Sequence, residues 1–70
     1  MNRAEHLQWC KDRALEYVDI GDFQQAVGSI CSDLRKHPDT EASAQIAFPL
    51  GMMAVNGSAA DMRKFINGFN

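Results

Sequence analysis

The sequence predicts an all-α fold: a compact four-helix domain, residues 1–70, built on an antiparallel helical hairpin. Three observations lead there. Apolar residues recur at three- and four-residue steps along most of the chain, which is the period of one helix face. Gly21-Asp22 falls between two such stretches with no room for a loop, so the flanking helices must fold back on each other. No stretch alternates with period two, the mark of a strand.

Residues 3–20 form the first predicted helix. Asn2 stands as N-cap with Glu5 three residues on, a capping-box spacing. Leu7, Cys10, Ala14, Tyr17 and Val18 line one apolar face; Glu5, Asp12, Glu16 and Asp19 fall opposite and should be solvated. Gly21 can adopt the left-handed conformation that ends a helix. Asp22 then caps a second helix, 22–37, whose stripe is Phe23, Ala26, Val27, Ile30 and Leu34. Arg35, Lys36 and His37 suit the negative end of its dipole, and Pro38 stops it.

A third helix is expected over 41–55, capped by Asp39 or Thr40. It is apolar nearly all round from Ala44, which predicts a central, buried helix or an interface. Pro49 should kink it or split it near Phe48. Asn56-Gly57 ends it. Ser58, with Asp61 three residues on, caps a fourth helix at 59–67, which carries Met62, Phe65 and Ile66; Phe69 continues their spacing.

Composition narrows the function. A chain of 70 residues is one domain with a marginal core, burying only about 60% of its unfolded surface. Such chains often draw stability from a metal, a disulfide or a partner. The net charge of −2 predicts solubility, with neither a nucleic-acid nor an acidic-membrane partner. The basic residues lie in three separate groups without interleaved aromatics, which argues against nucleic-acid binding. The opening MNRAEHLQWC lacks the apolar run of a signal peptide. The longest apolar stretch, Ala44 to Val55, is far short of the roughly 20 residues that span a bilayer. A cytoplasmic, reducing location away from any membrane is expected.

Ala14, Tyr17, Gly21, Asp22, Ala26, Ile30 and Pro38 keep the spacing of a tetratricopeptide-type helix pair, a repeat of about 34 residues. Residues 5–38 thus resemble a single repeat of that kind. Cys10 stands where an aromatic is common, and Arg13-Ala14 where a Leu-Gly step is usual. Nothing after Pro38 repeats the pattern, and one repeat cannot form a stacked peptide groove. The resemblance therefore implies hairpin geometry and not peptide binding. The whole chain also resembles small phage and prophage proteins of uncharacterised function. That likeness lies in MNRAEHLQWCKDRALEYVD, in Gly51-Met52-Met53 and in the ending MRKFINGFN. It implies a bacterial-cytoplasm setting and an accessory role.

Four groups of residues are candidates for chemistry or contact. His6, Cys10, Cys31 and His37 approach one another if residue n faces residue 43 minus n across the hairpin, and two Cys with two His can hold zinc. Against this, Cys31 and His37 are about 240° out of phase on a helix, and no C-x-x-C knuckle is present. Cys10 and Cys31 as small core or edge residues, with His6 and His37 solvated near helix ends, is the plainer reading, so no metal and no cofactor is expected. A Cys10–Cys31 disulfide is not expected in a reducing compartment.

Trp9 shares an outward stripe of the first helix with Arg13, Glu16 and Ile20. A Trp and an Ile on an otherwise charged face mark a second contact surface, unless later helices of the same chain cover them. Met52, Met53 and Met62 can form an adaptable patch or fill a core. The acidic face of the first helix can mimic phosphates or simply be solvated. No phosphate loop, H-E-x-x-H or G-x-S-x-G is present, and no nucleophile has a base at a recognisable spacing, so enzyme activity is not expected.

These readings converge on a non-enzymatic protein-protein interaction module with a phage-type accessory or regulatory role. Its partner is another protein or a second copy in a homodimer, through Trp9, Arg13, Glu16 and Ile20. The alternatives are a zinc-stabilised helical domain and an acidic inhibitor of a host nucleic-acid-binding protein.

Overall fold

The computed structural model describes residues 2–69, and they form four helices with no strand. Helix α1 spans Arg3–Asp19, α2 Phe23–Leu34, α3 Pro38–Ala54 and α4 Ala59–Asn67. The predicted all-α, four-helix architecture is present.

The α1–α2 turn follows from two residues. Gly21 has φ +80°, the left-handed region that a side chain would strain. Its N–H donates to the Val18 carbonyl at 3.0 Å, and the Asp22 N–H reaches back to the Tyr17 carbonyl at 2.9 Å. This pair of bonds satisfies carbonyls that the helix end leaves open. The Asp22 side chain then accepts the Gln25 N–H at 3.2 Å and starts α2. Asn2 caps α1 in the same way through the Glu5 N–H, at 2.8 Å.

The two helices press together through small and branched residues. Cys10, Ala14, Ala26, Ile30 and Leu34 are fully buried between them. Helix α3 lies chiefly against α2, and α4 against α1 with a smaller contact to α3. The hairpin is therefore the middle of the molecule, and α3 is one of its outer layers.

Three expectations about α3 are corrected. It starts at Pro38, not at residue 41, and its cap is His37, whose Nδ1 accepts the Asp39 N–H at 3.1 Å. A proline has no N–H to leave unsatisfied and its φ is preset, so it suits the first helical position as well as it ends the preceding segment. Neither Asp39 nor Thr40 is the cap; Thr40 lies inside the helix. It is fully buried, and its hydroxyl donates to the Leu34 carbonyl at 2.6 Å, tying the end of α2 to the start of α3. Pro49 does not split the helix, which runs unbroken to Ala54. Gln45 and Pro49 are both exposed, so water can serve the carbonyl that Pro49 cannot.

The third correction concerns burial. Helix α3 is not a central buried helix. It turns Thr40, Ala44, Ala47 and Gly51 inward. Ile46, Phe48, Leu50, Met52 and Met53 remain 46–74% exposed. The reason is closeness. A Cβ on Gly51 would stand 2.7 Å from Val27 Cγ1 and 3.2 Å from Phe65 Cζ, so only small residues allow α3 to approach α2 this closely.

Helix α4 starts with a complete capping box. The Asp61 N–H donates to Ser58 Oγ at 3.3 Å, and the Ser58 N–H donates to Asp61 Oδ2 at 3.0 Å. Met62 and Ile66 are fully buried, and Phe69 folds back edge-on to Phe65 with ring centroids 5.3 Å apart. Arg63 pairs with Asp19 at 3.2 Å and Lys11 donates to the Asn67 carbonyl at 3.3 Å, both fixing α4 along α1.

Candidate interaction surface

The outward stripe of α1 divides into two halves. Trp9 is half-buried and Arg13 is engaged within the chain, while Glu16 and Ile20 face solvent. The Arg13 guanidinium carbon lies 4.8 Å from the Trp9 ring centroid and Lys36 Nζ lies 5.4 Å from it. Both cations also reach the same carboxylate: Arg13 Nε to Asp33 Oδ2 at 2.8 Å, and Lys36 Nζ to Asp33 Oδ1 at 3.1 Å. Asp33 is 1% exposed. Two cations thus bridge a buried carboxylate and an aromatic face, each of which attracts positive charge. Trp9 serves as a lid on the hairpin's open edge. Asp33 gave no signal in the sequence on its own; the signal was positional, with Arg13 on α1 and Lys36 just past the end of α2.

The hairpin brings His6 and His37 together, with ring centroids 5.1 Å apart. His6 is buried rather than solvated, stacked on Trp9 at 5.9 Å and with Nε2 3.5 Å from Cys10 Sγ. His37 Nδ1 is occupied as the α3 cap. Among the described residues, no group of three or more His, Cys, Asp or Glu side chains is arranged to hold a metal ion. Cys10 and Cys31 are free and buried. Burial, with the nearby Asp33 charge adding to it, pushes the Cys10 thiol up to about 11; burial raises Cys31 as well. Both are thiols rather than thiolates at neutral pH, which makes them weak nucleophiles and weak metal ligands.

The other outward surface belongs to α3 and α4. Ile46, Leu50 and Met53 lie on one stripe of α3, at steps of four and three residues. With Phe65 and Phe69 they wall a cleft of about 550 Å³. Asp61 and Lys64 stand at this cleft and are its charged residues. From Ala42 to Ala60 the chain has no charged side chain, although much of that segment is exposed. Large exposed apolar patches on a small monomer mark contact sites. Ile46, Leu50 and Met53 are 48–74% exposed on this stripe, and Phe48 and Met52 are exposed on the other flank of the helix. The legible sign of this face was size: the small residues at 40, 44, 47 and 51 form one stripe, and the large apolar ones, Ile46, Phe48, Leu50, Met52 and Met53, all lie off it.

No helix of the described residues is long and apolar enough to cross a membrane. No family model, curated protein or solved structure matches the chain.

Proposed function

We propose that this chain is a non-enzymatic protein-protein interaction module that binds through the uncharged outer face of α3 and the cleft beside α4. A phage-type accessory or regulatory role in a bacterial cytoplasm fits a domain of this size. The observation that carries the reading is the inverted packing of α3, which turns its small residues inward and leaves Ile46, Leu50 and Met53 uncovered. A helix whose purpose was only to fill the core would be arranged the other way round. Trp9 and Arg13, bound to Lys36 and Asp33, support the fold beneath; Glu16 and Ile20 are available as a secondary contact.

The test compares immobilised wild-type chain with Met53→Glu in a bacterial lysate, alongside sedimentation of each variant. Met53 is 74% exposed, so the substitution leaves the core alone. Binding that the wild type shows, to itself or to another protein, is expected to fall at least tenfold in Met53→Glu, roughly the effect of placing one charge in an apolar contact. Full retention of binding would reject the α3 face.

A further inference from the structure

We infer that Asn56-Gly57 is a self-modification site, at which the folded chain converts Asn56 to aspartate and isoaspartate and so places a carboxylate on the rim of the α3–α4 cleft. The modification stands on its own geometry and does not depend on the binding reading.

The chemistry needs no enzyme. The backbone nitrogen of Gly57 attacks Asn56 Cγ. A C–N bond forms and closes a cyclic imide, the Cγ–Nδ2 bond breaks, and Nδ2 leaves as ammonia with the proton that the backbone nitrogen gives up. Water then opens the imide. Addition at Cγ leaves an aspartate; addition at the backbone carbonyl leaves an isoaspartate, with the chain running through the side chain. Nothing is oxidised or reduced. A side chain on the following residue shields the attacking nitrogen, so asparagine is labile chiefly ahead of glycine. The chain has two such pairs, Asn56-Gly57 and Asn67-Gly68.

The structure separates them. To react, the backbone nitrogen must leave its hydrogen bonds and turn to the side chain, which is a local opening. Asn56 and Gly57 are exposed in the turn between α3 and α4. A single bond holds the attacking nitrogen there, from the Gly57 N–H to the Ala54 carbonyl at 2.9 Å. Asn67 is the last residue of α4. The Gly68 N–H is shared between the Lys64 and Phe65 carbonyls at 3.1 and 3.3 Å, Lys11 holds the Asn67 carbonyl at 3.3 Å, and the next residue, Phe69, is buried. The second pair therefore opens only if the end of α4 lifts from α1.

The fold also fixes the labile pair. A Cβ on Gly57 would collide with the Asp61 carboxylate, whose Oδ2 accepts the Ser58 N–H at 3.0 Å in the α4 capping box. The start of α4 thus requires the glycine that makes Asn56 reactive. The product is a negative charge within a segment, Ala42–Ala60, that otherwise has none. It stands next to Gly57, which lines the cleft together with Asp61 and Lys64. The opposed charges at that cleft gain an acidic excess as the chain ages.

The experiment is to incubate the full chain, folded or in urea, at neutral pH and to follow each asparagine by peptide mapping with mass spectrometry and an isoaspartate-specific assay. In the folded chain Asn56 is expected to convert about tenfold faster than Asn67, or more, since the slower site must break at least two further hydrogen bonds. In urea the two pairs are expected to convert at similar rates, because only the fold distinguishes them. Asn56→Gln, which closes a larger ring far more slowly, is expected to abolish the early gain in negative charge that ion exchange detects in the folded wild type. A folded chain in which Asn67 converts as fast as Asn56 overturns the inference. So does one in which Asn56 persists while the same residue converts in urea, or an Asn56→Gln chain that gains charge as fast as wild type.

Discussion

Asp33 shows how a single side chain holds the hairpin's edge. A carboxylate with so little exposure needs its charge answered, and here Arg13 and Lys36 answer it while their own stems remain partly in water. Asp33→Asn keeps the shape and removes the charge. It is expected to cost about 1–2 kcal/mol of stability and to change the emission of Trp9, the chain's single tryptophan, as its two cations loosen. Urea unfolding followed by Trp9 fluorescence measures both; an unchanged midpoint would mean that the clamp is ornamental. Cys10 gives the pH dependence. Its thiol ionises at 9.0 in an open chain and at about 11 when folded. The folded state therefore has its full advantage below pH 9 and loses it as the pH rises towards 11, by on the order of 2 kcal/mol. Urea midpoints between pH 8 and 11 should fall more steeply for wild type than for Cys10→Ala. At this scale the helix caps were legible, since Asn2, Asp22 and Ser58 sit just ahead of apolar periods. The His37 cap was not, because a proline such as Pro38 is equally fit to stop one helix and to open the next.

Among the elements, α3 separates hydrophobicity from burial. Its apolar pattern is nearly continuous, so periodicity could not say which side faces inward. The decision was made by distance: α2 offers Val27, whose β-branched side chain has one favoured rotamer in a helix, and only Gly51 fits opposite it. Gly51→Ala raises intrinsic helix propensity by about 1 kcal/mol, yet drives a methyl into Val27 and Phe65. The net expectation is a loss of about 1–2 kcal/mol, seen as a lower thermal midpoint. A gain instead would mean that α3 can shift outward at little cost. The hairpin was the most legible part of the chain, because Gly21-Asp22 leaves its two helices a single arrangement.

For the whole molecule, four helices with the third apolar nearly all round carry more apolar side chains than 70 residues easily hide, while the contact stripe is expected on Trp9, Arg13, Glu16 and Ile20. The excess stands instead mainly on α3, since Trp9 is drawn into the hairpin by Arg13 and Lys36. A core this small gains from any contact made only by the folded state. If the α3 faces pair, the thermal midpoint is expected to rise with protein concentration, by roughly 5 °C or more over a hundredfold range. Scanning calorimetry at two concentrations checks this, and a midpoint independent of concentration counts against pairing. Pro49 takes on a second meaning in this light. The segment around α3 is apolar and has no charge between Ala42 and Ala60 to oppose misassembly whenever the protein opens. A proline at its centre cannot join a continuous β-ladder. The residue that removes one hydrogen bond from the helix is thus also the one at which a β-ladder through this segment would break.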